Sequence, residues 1–139
     1  MTVCVGNLCR SPVAEALFAQ ALPTWKVFSA GLAARPGDAA DETTQHVAAQ
    51  RGLDLSSHRA QLVSAVLCQQ AELILVMERA HKQALERQYP SVRGKVFRLG
   101  EWLDRDIEDP YRKPIDFHET IFVAITQGVE AWLPRLRSL

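Results

Sequence analysis

The sequence predicts an α/β fold with three layers, in which a central four-stranded parallel sheet is flanked by helices. The first observation behind this prediction is that strand-like and helix-like segments alternate along the chain, which is typical of a parallel sheet with right-handed crossovers. The second is a loop-like stretch, Cys4–Pro12, between the first strand and the first helix. Ligands of such sheets bind at the carboxyl ends of the strands, so this stretch is predicted to lie at a binding site.

The first two strands and the helix between them are predicted from apolar spacing and capping signals. The first strand covers Thr2–Val5 and the second Trp25–Ser29. Between them, Ser11 is a good N-cap and Pro12 suits the first helical position, and apolar side chains recur at helical spacing as far as Leu22. A usual strand has about five to six residues and the first one is shorter, so we expect the numbering to begin inside a longer strand.

The middle of the chain is predicted to hold two helices and the third strand. Asp41 can cap a helix that runs to about Arg51, with Gly52 just past its end. Another helix is expected near Ser64–Gln70. The run Leu73–Met77 is apolar throughout, which is typical of a strand that is buried on both faces.

The last part of the chain is predicted to contain two further helices and the fourth strand. The helix Glu78–Tyr89 is stopped by a proline, and Val96–Leu99 has the composition of a strand. A loop rich in charged residues follows over residues 101–114. The final helix is expected over Phe117–Leu136, with a break or an end at Pro134.

Length, charge and cysteine usage limit the classes of function. The 139 residues are expected to form one domain, residues 1–139, around a single core. The formal net charge is zero and no apolar run is long enough to span a bilayer, so neither a nucleic-acid partner nor stable membrane insertion is predicted. The odd count of three cysteines and the lack of a signal-peptide pattern fit a reducing compartment, and we expect a cytoplasmic monomer.

The residue types in the stretch Cys4–Pro12 indicate its chemistry. A loop ahead of a helix start points several backbone N–H groups inward, with the positive end of the helix dipole behind them. This field favours a thiolate at Cys4, to which Ser11 can donate, and Gly6 lets the backbone turn. Arg10 adds a planar fork of donors that can hold two oxygens of one phosphoryl group. The stretch therefore predicts an oxyanion-binding loop with a nucleophile at its floor.

The letters C-V-G-N-L-C-R-S-P resemble the signature of the low-molecular-weight protein tyrosine phosphatases, and the resemblance extends along nearly the whole chain. Through V-G-N-L-C-R-S-P and D-P-Y-R-K the chain is similar to the bacterial, exopolysaccharide-associated branch. The resemblance implies a flavodoxin-like (phosphotyrosine phosphatase I) fold, with Cys4 as the nucleophile, Arg10 as the phosphate clamp and no metal or other cofactor. The phosphate-binding residues that it implies are Val5, Gly6, Asn7, Leu8, Cys9, Arg10 and Ser11.

A second motif, D-P-Y, occupies residues 109–111. Read alone, Asp-Pro predicts a turn. Beside the thiol loop it resembles the family's D-P-Y loop, which implies that Asp109 is the general acid and later the base. The same resemblance implies that Tyr111 forms one wall of a pocket for a flat aromatic substrate. The alternative acids are Asp104, Asp106 and Glu108.

The resemblance also implies which residues support the loop and line the pocket. The residues that match the family's loop-bracing network are Asn7, Ser11, Ser29 and His58. The residues assigned to the substrate pocket are Leu8, Leu32, Arg35 and Tyr111. Cys9 has two interpretations: it packs behind the loop, or it pairs with the nucleophile under oxidation and shields it from irreversible damage. Gln61 departs from the family pattern, which often has an arginine there.

A tyrosine phosphatase is the leading interpretation, and alternatives from other classes are weighed against it. A phosphocysteine carrier needs neither Arg10 nor a D-P acid, and a non-catalytic phosphate-binding module would show no turnover. Arsenate reductases of this fold need further cysteines on a later loop, and none occurs over residues 77–139. Phosphoarginine phosphatases carry threonine where this chain has Leu8, which favours an aryl substrate. The implied partner is a phosphotyrosine protein, in particular a tyrosine autokinase that governs capsule or exopolysaccharide export.

Overall fold

Four short strands form one parallel sheet at the centre of the molecule. The computed structural model describes residues 1–139. Val3 pairs with Ala30 on one side and with Val76 on the other, so the first strand has neighbours on both edges. The strands are β1 (Thr2–Cys4), β2 (Ser29–Gly31), β3 (Ile74–Val76) and β4 (Val96–Arg98), in the order β2-β1-β3-β4. The predicted parallel α/β fold is confirmed.

Five helices cover the two faces of the sheet. They are α1 (Arg10–Ala21), α2 (Glu42–Ala49), α3 (Ala65–Gln70), α4 (Arg79–Gln88) and α5 (Ile115–Arg137). Short 3₁₀ turns lie at Pro90–Val92 and Glu101–Leu103. None of the helices has both the length and the apolar composition needed to cross a membrane.

Alternation along the strands divides the apolar side chains between two cores. Cys4 and Leu75 belong to the core shared with α1, α2 and α5. Val3, Ile74 and Val76 belong to the core on the other face, with side chains from α3 and α4. Successive side chains of a strand point to opposite faces, so both faces of each central strand must be apolar. This explains why the third strand has no polar residue.

The predicted cap at Asp41 is present, and Ser64 caps the next helix. The carboxylate of Asp41 accepts a hydrogen bond from the backbone N–H of Thr44 at 3.0 Å, at the start of α2. The hydroxyl of Ser64 accepts one from the N–H of Leu67 at 3.1 Å, at the start of α3. Each cap satisfies one of the N–H groups that a helix start leaves without a partner. Gly52 has φ of 76°, the left-handed conformation that glycine adopts after a helix.

The prediction that Ser11 caps the first helix is wrong. The helix begins one residue earlier, at Arg10, and Cys9 occupies the N-cap position without a side-chain hydrogen bond to the first turn of the helix. Ser11 is fully buried and turns its hydroxyl towards the sulfur of Cys4 instead of towards the helix. Pro12 is consequently the third helical residue, where its missing N–H still falls within the first turn.

Two element boundaries also differ from the prediction. The second strand starts at Ser29 instead of Trp25, because ladder pairing begins where the N–H of Thr2 donates to the carbonyl of Phe28 at 2.9 Å.

The last helix continues through Pro134 to Arg137. Pro134 is exposed, so the carbonyl that loses its partner can bond water. Burial of Trp132 and Leu136 on either side of the proline holds the final turn onto the core.

A cleft of about 510 Å³ lies at the amino ends of the strands, at the opposite end of the sheet from Cys4. Its lining is largely apolar and includes Phe18, Trp25 and Leu136. The α-ammonium group of Met1 lies in it and donates to the carbonyl of Leu73 at 2.9 Å. Burial lowers the pKa of this amino group from 8.0 to about 6.

Candidate active site

Cys4 is the last residue of β1, and the loop that follows it returns to the sulfur. The sulfur lies 3.0 Å from the hydroxyl oxygen of Ser11 and 3.3 Å from the backbone nitrogen of Asn7, whose N–H donates to it. Cys4 is only 3% exposed. A hydroxyl and an amide directed at one sulfur stabilise negative charge there. The loop therefore directs two polar groups at one sulfur, at the carboxyl end of the central strand.

Asn7 holds the loop in this shape from inside. It is fully buried and has φ of 56°, a left-handed conformation that asparagine tolerates better than most residues. Its side-chain amide donates to the hydroxyl of Ser11 at 2.8 Å and to that of Ser29 at 2.9 Å. Its side-chain carbonyl accepts from the backbone N–H of Gln61 at 3.0 Å. One side chain thus joins the loop, α1, β2 and the segment before α3.

His58 and Gln61 brace the loop from the outer side. Nε2 of His58 lies 2.8 Å from the backbone carbonyl of Asn7, which can only accept, so Nε2 carries the proton. The side-chain amide of Gln61 donates to the carbonyl of Ser29 at 2.8 Å. The structure therefore brings together Asn7, Ser11, Ser29 and His58, and Gln61 joins them.

Gly31 allows the segment that follows β2 to pass close to the loop Cys4–Arg10, which is called the phosphate loop below. A Cβ atom at this position would lie 2.5 Å from the carbonyl oxygen of Val5, so no other residue fits without a backbone shift. The N–H groups of Leu32 and Ala33 donate to the carbonyls of Cys4 and Val5, each at 2.9 Å. This contact places Leu32 beside the mouth of the loop.

Arg10 is buried behind the loop, and only its Nη1 makes hydrogen bonds to the protein. Its Nη1 donates to the Glu78 carboxylate at 2.6 Å and to the carbonyl of Ile107 at 2.8 Å. Its Nε has no hydrogen-bond partner although it is buried. A buried guanidinium with an unused N–H is a ready donor for an anion. Neither Glu78 nor Ile107 was predicted, because no local sequence signal links them to Arg10.

Asp109 is the carboxylate that the structure brings to Arg10. Its Oδ2 lies 3.8 Å from Nη2 of Arg10, and its side chain is about half exposed, at 50%. Its Oδ1 accepts from the backbone N–H of Tyr111 at 3.0 Å, which fixes the D-P-Y turn. The loop thus suspends one carboxylate over the arginine while leaving it open to solvent.

The alternative acids lie elsewhere in the same loop. Asp104 and Asp106 bind the Arg98 guanidinium at 2.9 and 3.2 Å. The hydrogen bond from Arg98 holds the pKa of Asp104 below its usual value of 3.8. Asp106 also accepts from the backbone N–H of Arg79 at 3.0 Å, which ties the loop to the start of α4. This geometry favours Asp109 over both as the acid.

The four residues assigned to the substrate pocket differ in how far their side chains are buried. Leu8 and Leu32 are partly buried, and Tyr111 is 42% exposed, with the Arg112 guanidinium 5.2 Å from its ring centre. Arg35 extends into solvent and pairs with Asp38 at 3.6 Å. The side chain of Arg35 is thus the least fixed of the four by the protein itself.

Cys9 lies on the inner side of the loop and faces the core. It lines a small cavity together with Thr44, His118 and Phe122. Burial raises the pKa of its thiol from 9.0 to about 12, and a hydrogen bond with Thr44 partly opposes the shift. Cys9 is therefore a neutral thiol at physiological pH, in contrast to the donor-rich surroundings of Cys4.

A thiol and an arginine in one anion-binding loop, at the carboxyl edge of a parallel sheet, are the arrangement that a cysteine-dependent phosphatase requires. The chain belongs to the low molecular weight phosphotyrosine protein phosphatase family, whose model matches residues 1–139.

Individual relatives agree with this assignment. The chain is 49% identical over 139 residues to the probable low molecular weight protein-tyrosine-phosphatase EpsP of Ralstonia solanacearum, covering 100% of this chain and 96% of that protein. It matches the crystal structure of the tyrosine phosphatase Wzb from Escherichia coli K30 in complex with sulphate, with a TM-score of 0.94 and 38% identity, over 97% of this chain and 95% of that one. It also matches the YwlE arginine phosphatase from Geobacillus stearothermophilus, with a TM-score of 0.92 and 28% identity, over 99% and 91%.

Proposed function

We propose that this protein hydrolyses phosphotyrosine in proteins through a phosphocysteine intermediate. The observation that carries the proposal is that one loop holds both Cys4 and Arg10. The sulfur accepts from the N–H of Asn7 and lies 3.0 Å from the hydroxyl of Ser11, and the arginine keeps a buried Nε without a partner. A phosphoryl group seated in the loop satisfies that N–H and the inward backbone amides together. The same seat places phosphorus next to the sulfur.

In the first step the Cys4 thiolate attacks phosphorus in line with the leaving group. A bond between sulfur and phosphorus forms, and the bond between phosphorus and the tyrosine oxygen breaks. Arg10 and the loop amides hold the three equatorial oxygens, on which charge develops. Asp109 gives its proton to the departing phenolate, so tyrosine leaves as a neutral phenol.

In the second step water replaces the sulfur. Asp109, now ionised, takes a proton from the water molecule as its oxygen attacks phosphorus. The sulfur–phosphorus bond breaks, inorganic phosphate leaves, and Cys4 returns to the thiolate. Asp109 ends protonated, ready for the next substrate. Its solvent exposure of 50% gives the water and the phenol a path to it.

The pocket supports an aryl substrate over a guanidino one. Leu8 presents an apolar side chain at the loop, Leu32 lies beside it through the contact between the loops, and Tyr111 offers an exposed aromatic ring. A flat phenyl ring gains from such apolar and aromatic surfaces. Phosphoarginine is the second candidate, since an arginine phosphatase shares the fold with a TM-score of 0.92.

The setting that we propose is bacterial exopolysaccharide control. EpsP and Wzb belong to the exopolysaccharide-associated branch of the family. We infer that the substrate is a tyrosine autokinase of that system and that the enzyme acts in the cytoplasm as a single domain comprising residues 1–139. Such a kinase carries the phosphotyrosine that the pocket fits.

A panel of phosphorylated peptides tests the proposal. One sequence is prepared with phosphotyrosine, phosphoserine, phosphothreonine or phosphoarginine at the same position, and phosphate release is measured with the parent enzyme and with Cys4→Ser. Turnover of the phosphotyrosine peptide at least 100-fold above the others supports the proposal. Preference for phosphoarginine would replace the substrate class, and no release from any peptide would leave only phosphate binding.

A further inference from the structure

Glu78 stands at the N-cap position of α4 but does not cap the helix. Its side chain makes no hydrogen bond to the first turn and instead reaches Nη1 of Arg10 at 2.6 Å. The first N–H of the helix, from Arg79, is accepted by the carboxylate of Asp106 at 3.0 Å. A residue from another loop thus satisfies the helix start, and this leaves Glu78 free to bind the arginine.

His81 lies one helical turn after Glu78 and faces the same carboxylate. Its Nε2 is 3.4 Å from Oε2 of Glu78, the oxygen that also binds Arg10. Its side chain is only 9% exposed, and its Nδ1 has no hydrogen-bond partner. Residues three apart on a helix are neighbours on one face, so the backbone itself sets this contact. The mechanism above makes no use of the histidine.

We propose that His81 is a positioning residue of the phosphate site: it presents Nε2–H to Glu78 and thereby keeps the carboxylate on Nη1 of Arg10. With Nη1 held, Arg10 directs Nε and Nη2 towards the phosphoryl group. The inference rests on the proposed function, because it assigns His81 a part in binding the phosphate.

Burial of His81 and the nearby Arg10 favour the neutral imidazole, which can still present Nε2–H to Glu78. The groups around it are Arg10 on α1, Glu78 on its own helix, and Asp106 and Asp109 on the loop that carries the acid. Burial, followed by the positive charge of Arg10, lowers the pKa of His81, and the three carboxylates oppose this shift. A protonated ring would also bury an N–H at Nδ1 with nothing to accept it.

Three substitutions at His81 separate positioning from packing. Glutamine carries its amide nitrogen near the place of Nε2, asparagine carries it near the place of Nδ1, and leucine fills the volume without a donor. Equilibrium binding of inorganic phosphate and of orthovanadate is measured by titration calorimetry, which does not depend on turnover, and melting curves confirm folding. We expect H81Q to bind both anions within twofold of the parent, and H81N and H81L to bind about fivefold more weakly.

A double-mutant cycle with Glu78→Gln identifies the partner. If His81 acts through Glu78, adding H81N to E78Q produces no further loss of phosphate affinity. Three outcomes would overturn the role of His81 but not the proposed function. They are parent-like phosphate binding by H81N, equal weakening in H81Q and H81N, and the same loss from H81N in the E78Q background as in the parent. A parent enzyme that binds neither anion would overturn the proposed function as well. In steady-state assays the H81N defect should appear in KM and kcat together and should be restored in H81Q.

Discussion

The carboxylate of Asp109 lies 3.8 Å from the guanidinium of Arg10. The two side chains have opposite surroundings, since Arg10 is 2% exposed and Asp109 is 50% exposed. A buried cation therefore lies next to a solvent-accessible carboxylate that can exchange protons. Because the two side chains are distinct in burial and position, the proposed acid role of Asp109 can be tested separately from the proposed phosphate binding by Arg10.

Replacing Asp109 with asparagine should slow phosphotyrosine far more than an activated ester. The tyrosine phenolate is a poor leaving group, with a pKa near 10, and needs the proton, whereas nitrophenolate departs without one. We expect a loss of about 10²–10⁴-fold on a phosphotyrosine peptide in single-turnover kinetics, and a smaller loss on nitrophenyl phosphate. Single-turnover conditions matter because Asp109 also serves the hydrolysis step. Equal burst-phase losses on both substrates would assign Asp109 a structural role and direct attention to Glu108.

Replacing Cys4 with serine should remove turnover and keep oxyanion binding. Serine preserves the loop backbone and Arg10, but a hydroxyl is a much weaker nucleophile than a thiol at the same position. We expect turnover to fall by several orders of magnitude while phosphate affinity by calorimetry stays close to that of the parent. Activity within tenfold of the parent would contradict covalent catalysis by the sulfur.

Replacing Cys9 with serine tests protection against oxidation. The Cys4 thiolate is the form that peroxide attacks first, whereas the pKa of Cys9, raised to about 12, keeps its thiol neutral. If the two sulfurs can pair, peroxide inactivates the parent reversibly and thiol reductants restore activity, whereas loss in Cys9→Ser is largely irreversible. Cys68→Ser, at a buried cysteine outside the loop, is the matched control. Equal recovery of all three proteins would mean that Cys9 only packs.

Replacing Gly31 with alanine should damage stability and activity together. The new Cβ would meet the Val5 carbonyl at 2.5 Å and the Ala34 side chain at 2.8 Å, so the phosphate loop must shift. Overpacking of this kind costs about 1–3 kcal/mol in the free energy of unfolding. Gly37→Ala is the control, because its φ of 91° is strained for alanine but no atom lies within 4 Å. It should cost about 1 kcal/mol and leave kcat unchanged. Parent-like kcat in Gly31→Ala would show that the loop tolerates the shift.

Adding four or five apolar, β-branched residues ahead of Met1 should raise the melting temperature. The added side chains would fill the cleft of about 510 Å³, and the buried amino group of Met1 would become a peptide amide. The depressed pKa of about 6 also gives the present chain a pH signature. Between pH 6 and 8 its unfolded state binds the proton that the folded state lacks, so the amino group makes stability rise with pH.

That pH signature should disappear in the extended chain. An extension of glycine and serine of equal length removes the charge without adding apolar burial, so it should abolish the pH signature but raise the melting temperature less. Denaturant unfolding at several pH values measures both effects. An unchanged melting temperature with the apolar extension would mean that the sheet gains nothing from more strand.

The parts of the molecule that could be predicted from sequence are those with local signals. The caps at Asp41 and Ser64 use a side chain and an N–H three residues later, and the apolar run Leu73–Met77 contains the third strand. The helix start was misplaced because Ser11 has the local chemistry of a cap, while its actual partner is Cys4. Tertiary contacts decided between two uses of the same hydroxyl.

The supports of Arg10 could not be predicted, since they come from distant parts of the chain. Glu78 looks like an ordinary residue at a helix start, and Asp106 like one of several acidic loop residues. Their roles are linked: Asp106 caps α4 across space, and Glu78 is thereby free for the arginine. No periodic pattern or fixed spacing in the sequence indicates that Asp106 takes the capping role in place of Glu78. It depends on how the last loop folds back over the sheet.

Although β1 precedes the other strands in the sequence, it occupies the centre of the sheet and pairs with β2 and β3. Synthesis at roughly 5–20 residues per second separates Cys4 from Asp109 by about 5–20 seconds. Glu78 and Ile107, which anchor Arg10, are added only in the last third of that interval. The nascent chain thus carries the thiol of Cys4 for some time before Arg10 has its supports, and the proposed site is complete only once Asp109 has been added.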